Sequence, residues 1–318
     1  MEGTAHSITA ILVNYRSAAE TLLAVNGLLS SSERGRLSIL VVENGSGGDD
    51  RERLARELPE GARLIVSAAN LGFAGGVGLA MAEARGGLIL VLNPDARLEP
   101  GALERMIEFL SAAPRAGAVG PAFRERDGKL LSSGRRLLTP WRMLGLQLGL
   151  WAVVMPVPDP PVPFRVDWLV GACMLFRREA LDQAAGFDDR YFLYFEEADL
   201  CRRLVALGWE LWSLPAAVCF HDHAPSAARS GEVLLGREIL RHYIPSRRLY
   251  LVRFHGRAAA FLVDAGSVLI AAVSWLRNSL MRRRPRSAHR RGRAALILAE
   301  YARSLFGRRQ SPGSRDLR

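Results

Sequence analysis

Cysteine is scarce in this sequence: 318 residues contain three, Cys173, Cys201 and Cys219, an odd total with no CxxC spacing. That excludes a disulfide framework and fits a reducing compartment. The first residues carry neither a basic run nor a long apolar stretch, so no secretory signal is expected and the folded part is expected to face the cytoplasm. No GxGxxG follows the first β-rich run, which excludes the dinucleotide fingerprint. No internal repeat is visible. A positive excess is also missing from most of the chain. The net charge is +11, yet residues 231–318 hold 19 Arg against 5 Asp and Glu, a balance of +14 that leaves −3 for residues 1–230. With no nucleic-acid motif and no basic excess on the larger part, nucleic acid is not an expected partner.

What is present is enough to fold. About half the residues are apolar (49%), sufficient for a sizeable core in one large α/β domain and a tail. The basic residues gather in that tail, where Arg282, Arg283, Arg284, Arg286, Arg290, Arg291 and Arg293 border apolar segments. Residues 258–276 form one such run, bounded by Arg257 and Arg277 and interrupted by Asp264. Apolar stretches edged by Arg suit an anionic membrane surface, each nearby basic residue adding about 1 kcal/mol. A single span is the alternative, in which Asp264 costs about 2.5–3.5 kcal/mol; packing against the core is another. The reading favoured is helices lying in the interface. The domains expected are a catalytic 1–230 and a helical, Arg-rich 231–318.

The first half alternates β-rich and helical segments. Runs at 8–13, 37–42, 64–67, 88–92 and 118–119 read as strands, and 18–29, 76–84 and 101–112 as helices. This alternation predicts an α/β fold with a mostly parallel central sheet flanked by helices. Further on, 168–176, 210–214 and 217–220 read as strands, 196–207 as a helix, and the Pro-rich 156–163 as an extended linker. In such sheets ligands bind beyond the carboxyl ends of the strands. Those ends carry Asn14-Tyr15, Glu43-Asn44, Asn70 with its glycines, and Asn93-Pro94-Asp95.

Each polar cluster has two readings. Asn70-Leu71-Gly72-Phe73-Ala74-Gly75-Gly76 leads into a helix N-terminus, which suits a phosphate or is a plain turn. Asp95 after an apolar strand can hold a divalent cation that also binds substrate phosphates, or belongs to a surface turn. Glu196, Glu197 and Asp199 sit where a helix dipole favours acids. The dense aromatic and acidic residues ahead of them would also desolvate a carboxylate and raise its pKa toward that of a general base. His221 after a short strand is structural or a ligand.

Taken in order, these segments resemble the family 2 glycosyltransferases of the GT-A fold, in their rhamnosyltransferase-like branch. The motifs are Ile11-Leu12-Val13-Asn14-Tyr15, Val41-Val42-Glu43-Asn44-Gly45-Ser46, Asn70 through Gly76, Leu92-Asn93-Pro94-Asp95, Gly171-Ala172-Cys173-Met174, Gly186-Phe187-Asp188 and Glu196 through Cys201, followed by His221. The resemblance covers about residues 8–225 and implies a GT-A Rossmann-like sheet. It further implies that Asn14 and Glu43 lie at the nucleoside pocket, that Asn70, Gly75 and Asn93 line the donor site, and that Asp95 and His221 hold a divalent metal, Mg²⁺ or Mn²⁺. Glu197 would be the general base, with Trp168, Gly171 and Asp188 on the acceptor side. Glu43 stands where many relatives have Asp, Val77 and Gly78 where they often show Asn, Asn93 in place of the first Asp of a strict DXD, and Glu197 where others use Asp. None of these removes a needed chemical group.

The implied reaction is inverting transfer of a sugar, rhamnose by the branch, from a dTDP- or UDP-sugar to a hydroxyl of a saccharide or lipid-linked saccharide. The implied setting is cell-surface polysaccharide synthesis, with the enzyme peripherally attached to the inner face of the plasma membrane. Two rival readings are a sugar-phosphate nucleotidyltransferase and a non-catalytic membrane or nucleic-acid binding protein. The first lacks its basic Gly-rich loop after the first strand, where Asn14-Tyr15-Arg16-Ser17 stands.

Overall fold

The computed structural model describes residues 7–125, 127–221, 237–280 and 285–306. In chain order the elements are β1 (Ile8–Asn14), α1 (Ala18–Leu29), β2 (Leu37–Asn44), α2 (Gly48–Glu57), β3 (Ala62–Ser67), α3 (Gly72–Met81), β4 (Leu88–Leu92), β5 (Ala96–Leu98), α4 (Ala102–Ala112), β6 (Ala116–Arg124), β7 (Leu130–Ser132) and β8 (Gly134–Arg135). They continue as α5 (Pro140–Gln147), β9 (Phe164–Arg165), β10 (Trp168–Leu169), β11 (Cys173–Arg177), α6 (Arg178–Gln183), α7 (Glu196–Ala206), β12 (Glu210–His221), α8 (Arg237–Leu280) and α9 (Pro285–Phe306). The chain divides into two compact units: 1–137, 154–192 and 196–228 form the first, and 138–153, 193–195 and 229–318 the second.

The first unit is built on one sheet in the order β3-β2-β1-β4-β11-β6-β12-β5, with β7 paired to β6 and β9 to β12; β8 and β10 form a separate two-stranded ribbon. Pairing is parallel among β3, β2, β1 and β4 and between β6 and β12, while β11 and β5 run antiparallel to their neighbours. Strands buried on both faces need apolar residues throughout, and β1 is buried along its whole length. The twofold alternation of a strand then separates two cores. Ile8, Ala10 and Leu12 pack with Val25, Leu28 and Met106 on one side of the sheet. Ile11 and Val13 pack with Val77, Phe176, Leu200 and Leu204 on the other.

Three segments differ from their sequence reading. The run 168–176 is two strands. The Val170 N–H donates to Ser133 O at 3.0 Å, while Ala172 O accepts from the Asn93 N–H at 2.9 Å, so the backbone changes partners in between. The readings 210–214 and 217–220 are one strand, β12, carrying a register shift between Leu214 and Val218. Pro215 lies inside that irregularity, where a missing N–H is tolerated. β6 is nine residues long rather than two.

The second unit contains α5, α8, α9 and the tripeptide Leu193–Phe195. Thr139 caps α5 by accepting from the Arg142 N–H at 3.3 Å, with Pro140 in the first turn. Gly256, at φ 82° and ψ 167°, breaks α8 into two helical stretches. A buried polar network runs through the interior of this unit, among apolar residues such as Leu240, Ile244, Leu251 and Val263. Asp264 accepts from Arg247 Nη2 and from Arg248 Nε, both at 2.7 Å, and Arg247 Nη1 donates to Ser267 Oγ at 3.1 Å. Tyr301 on α9 donates to Asp264 at 3.3 Å, and Gln147 on α5 to Ser267 at 2.9 Å. The outward side of α8 beyond Gly256 is apolar instead: Phe261, Leu262, Leu269, Val273, Leu276 and Leu280 are all exposed. At 100° per residue these positions fall on one face. The basic Arg282, Arg283 and Arg284 lie outside the described residues.

Candidate active site at the strand ends

Parallel pairing brings the carboxyl ends of β1, β2, β3 and β4 to one edge, and the antiparallel β11 begins there, with Cys173 opposite Leu92. β12 ends beside the same edge, because His221 is paired with Ala96 on β5. Residues far apart in sequence therefore meet for a topological reason, as expected of an open α/β sheet.

At the β1–β3 end, the polar side chains are bound to one another. Asn14 is fully buried. Its Nδ2 donates to Ser46 Oγ and Asp50 Oδ2, both at 3.3 Å, and its Oδ1 accepts from Ser17 (3.2 Å) and Thr21 (2.8 Å) hydroxyls. Asp50 also accepts from the Ala18 N–H at 3.1 Å, satisfying one of the orphan donors at the start of α1. Glu43 is buried and accepts from the Ser46 N–H at 2.5 Å. Asn70 accepts from Asn44 Nδ2 at 3.1 Å and from the Gly72 N–H at 2.9 Å. Asn44, which the sequence reading left without a role, is the hub of this loop: its Oδ1 accepts from the Leu71 N–H and its Nδ2 donates to Gly72 O, both at 3.0 Å. Gly72 has φ +74°, and a Cβ there would meet Phe192 O at 2.1 Å, so only glycine fits. Gly75 lies in the first turns of α3, where a Cβ would press on Leu71 at 2.9 Å.

The β4–β12 end is arranged differently. Asn93 and Asp95 are half-buried after β4, and Asn93 O accepts from the Ala96 N–H at 3.1 Å, closing the turn. Asp95 Oδ1 and His221 Nε2 stand 3.1 Å apart, whereas His221 Nδ1 is buried with no hydrogen-bond partner among the described residues. One carboxylate and one imidazole converging in this way fit a divalent cation that takes its remaining ligands from substrate oxygens and water. Among the described residues no group of three or more His, Cys, Asp or Glu side chains gathers into a self-sufficient metal site.

Glu196 and Glu197 open α7, where unsatisfied N–H groups and the helix dipole favour carboxylates. The two preceding residues, Tyr194 and Phe195, both have φ +70°, a left-handed conformation rare outside glycine that stores strain beside the pair. Burial pushes the Glu196 carboxyl well above the usual range, with the neighbouring Glu197 adding to it. Burial also raises Glu197, opposed by the backbone amides of Glu197, Gly171 and Ala198 and by Arg135. One oxygen of each carboxylate, Glu197 Oε2 and Glu196 Oε2, is buried without a hydrogen-bond partner among the described residues. Gly171 borders Glu197, a Cβ there lying 3.7 Å from its carboxylate, an ordinary contact.

The other acceptor-side candidates are engaged within the fold. Trp168 Nε1 donates to Arg136 O at 2.9 Å, and Asp188 accepts from the Arg190 N–H at 3.1 Å and its Nη2 at 2.6 Å. Asp199 is an internal anchor, accepting from Arg203 Nε at 2.6 Å and from the Tyr191 hydroxyl at 3.0 Å. The helix-start reading of the acidic cluster thus suffices for Asp199.

Residues 9–184 match the family model described as glycosyl transferase family 2. The chain is 32% identical over 285 residues to the N-acetylglucosaminyl-diphospho-decaprenol L-rhamnosyltransferase of Mycobacterium tuberculosis (strain ATCC 25618 / H37Rv), covering 81% of this chain and 89% of that protein. It is 30% identical over 136 residues to the rhamnosyltransferase WbbL of Escherichia coli (strain K12), covering 42% and 51%. Among solved structures it is similar to the mannosyltransferase PcManGT of Pyrobaculum calidifontis, in complex with GDP-Man and Mn²⁺. The TM-score is 0.57 at 16% identity, covering 95% of this chain and 88% of that one. GalNAc-T7 with UDP, GalNAc and Mn²⁺ gives a TM-score of 0.54 at 12% identity, covering 79% and 51%. These likenesses bear out the GT-A reading of the sheet, and the chain belongs to glycosyl transferase family 2 and is a glycosyltransferase.

Proposed function

We propose that this enzyme transfers rhamnose, with inversion, from a dTDP- or UDP-activated donor to a hydroxyl of a lipid-linked saccharide in cell-surface polysaccharide synthesis. The observation that carries the mechanism is the buried, unpartnered Oε2 of Glu197 at the strand-end cleft. A carboxylate oxygen with no internal partner is free to accept the proton of an acceptor hydroxyl. Its raised pKa brings it closer to the strength a general base needs at neutral pH. The names of the two relatives support rhamnose, and that of the mycobacterial one a diphospho-polyprenol acceptor.

Asp95 and His221 would hold the divalent cation, which when bound neutralises charge on the departing nucleoside diphosphate. Mn²⁺ in the titles of both solved neighbours is in keeping with this, and Mg²⁺ suits the same donor set. Glu43, Asn70 and Gly75 shape the donor pocket, and Asn14 braces it from beneath. Asn93 sets the turn that presents Asp95. Trp168, Gly171 and Asp188 border the acceptor. A lipid-linked acceptor requires the enzyme to meet a bilayer, and the apolar outward face of α8 supplies a surface for it. The apolar stretch of the helix spanning 240–280 is mostly exposed rather than packed inside the protein. Asp264, the residue most costly to insert, is turned inward to Arg247 and Arg248. This favours attachment at the inner, anionic face of the plasma membrane.

The test is a donor panel with the purified enzyme, a polyprenyl-diphosphate-linked acceptor in anionic vesicles, and Mg²⁺ or Mn²⁺, read as nucleoside diphosphate released. Expected are turnover with dTDP- or UDP-rhamnose, loss on chelation, and loss of Mn²⁺ binding in Asp95→Ala and His221→Ala. Turnover with another sugar alone would replace the donor assignment, and unchanged Mn²⁺ binding in both variants would remove the metal site.

A further inference from the structure

Arg135 has no place in the roles above, yet it is 7% exposed and lies in the first unit beside Glu197. Arginine is almost never buried so completely without a charge partner. Its Nη1 donates to two carbonyls, Ser132 O at 2.6 Å and Gly134 O at 3.0 Å, which fix the guanidinium's position but supply no negative charge. Strand pairing explains how it comes near Glu197, because β8 pairs with β10 and β10 packs against α7. Arg135 on β8 is in register with Trp168 on β10, and three residues past Trp168 the chain reaches Gly171, which borders the Glu197 carboxylate. The ribbon thus delivers a cation to the start of α7.

Three ionisable groups share the surroundings of Glu197: Glu196 on the same helix and Cys201 one turn further on, both of which its charge pushes up, and Arg135, which opposes the rise of Glu197 itself. The Cys201 thiol is pushed up to about 12 by burial and stays neutral. Glu196 and Glu197 therefore share a desolvated site in which each opposes ionisation of the other. Arg135 is the opposing influence. Burial draws its own pKa down to about 10, still far above neutrality, so the guanidinium remains charged throughout the working range.

We propose that Arg135 is a positioning residue that acts through Glu197, its fixed charge keeping that carboxylate ionised for the acceptor hydroxyl. The proposal rests on Glu197 being the base, and the experiment separates the two. The pH dependence of kcat/KM is measured for the wild-type enzyme and for Arg135→Met, Arg135→Gln, Arg135→Lys and Glu197→Gln, with thermal melting and donor binding checked for each. Rate is lost on the acid side as the base takes up its proton. Removing the cation raises the base's pKa, so the acid limb of Arg135→Met moves to higher pH by about one unit or more. Arg135→Gln, which keeps an N–H for the Ser132 carbonyl, shows the same shift and serves if the Met variant fails to fold. Arg135→Lys keeps the limb within a few tenths of a unit of wild type, at a lower rate. An equal loss at every pH in Arg135→Gln, with no movement of the limb, overturns the proposal. So does a rise confined to the acceptor KM, which makes Arg135 an acceptor ligand. Near-normal turnover in Glu197→Gln sinks the base assignment itself, whatever Arg135 does.

Discussion

The two halves of the strand-end cleft use polar residues in opposite ways. Around β1, β2 and β3 each polar side chain is tied to others: Asn14 makes four hydrogen bonds to side chains, and Asn44 stitches Asn70 to the loop before α3. Around β4, α7 and β12 buried atoms are left over, namely His221 Nδ1, Glu196 Oε2 and Glu197 Oε2. Burying a polar atom without a partner costs about 1–3 kcal/mol. Where such atoms converge at a strand-end cleft, a ligand can complete them. On the proposed mechanism the first half frames the chemistry and the second carries it out.

The sharpest test of that contrast is Glu197→Gln, which should separate activity from stability. Losing a general base lowers kcat by about 10²–10⁴-fold. Stability should move the other way. Glu197 has a raised pKa in the folded protein, so no penalty exists below the unfolded value. As pH rises through that value the unfolded chain loses its proton more readily, and the penalty is complete above the folded pKa. At neutral pH the amide removes it, and the melting temperature of Glu197→Gln should equal or exceed wild type. A variant both inactive and less stable would make Glu197 structural.

Asn14→Ala should do the reverse. It leaves the Ser46, Ser17 and Thr21 hydroxyls and the Asp50 carboxylate short of partners, at a cost of about 1–3 kcal/mol. For a unit of this size that is roughly a 2–4 °C fall in melting temperature per kcal/mol. Below the transition, kcat should stay within a few-fold of wild type and the donor KM should change little. A hundredfold rise in donor KM without loss of stability would make Asn14 a direct nucleoside contact and erase the distinction between the two halves.

Why some of this was legible in sequence follows from the residues involved. The strands β1, β2 and β4 are continuous apolar runs, so their ends could be found by inspection and the residues after them placed at the cleft. β6 shows only two residues of its nine as a strand in sequence because its first half is small. A Cβ on Gly117 would lie 2.9 Å from Trp209 and one on Gly120 2.6 Å from Ser133, so the strand must use glycine where apolar patterning is sought. Arg135 gave no signal, since nothing in Ser132-Ser133-Gly134-Arg135-Arg136 shows which of two arginines turns inward. That choice is made by β8 pairing with β10, a contact between segments about thirty residues apart. The inward turn of Asp264 was hidden for the same reason, because its partners Arg247 and Tyr301 lie elsewhere on the chain.

Asp188→Asn gives the finest resolution of the comparison, because Asp188 stands near the active half while its hydrogen bonds resemble those of the framing half. Its carboxylate is paired with Arg190, whose side chain is 60% exposed. An exposed pair of this kind contributes about 0–1 kcal/mol, so melting should barely change. If Asp188 serves only to order the turn into Tyr191, whose N–H donates to Asp188 O at 3.1 Å, asparagine keeps the backbone and acceptor kinetics are unaltered. If the carboxylate instead receives an acceptor hydroxyl, the acceptor KM rises several-fold while donor KM and the acid limb of the pH profile stay put. The ratio of the two KM values therefore decides whether the acceptor border extends past Gly171 to Asp188 or ends at Glu197.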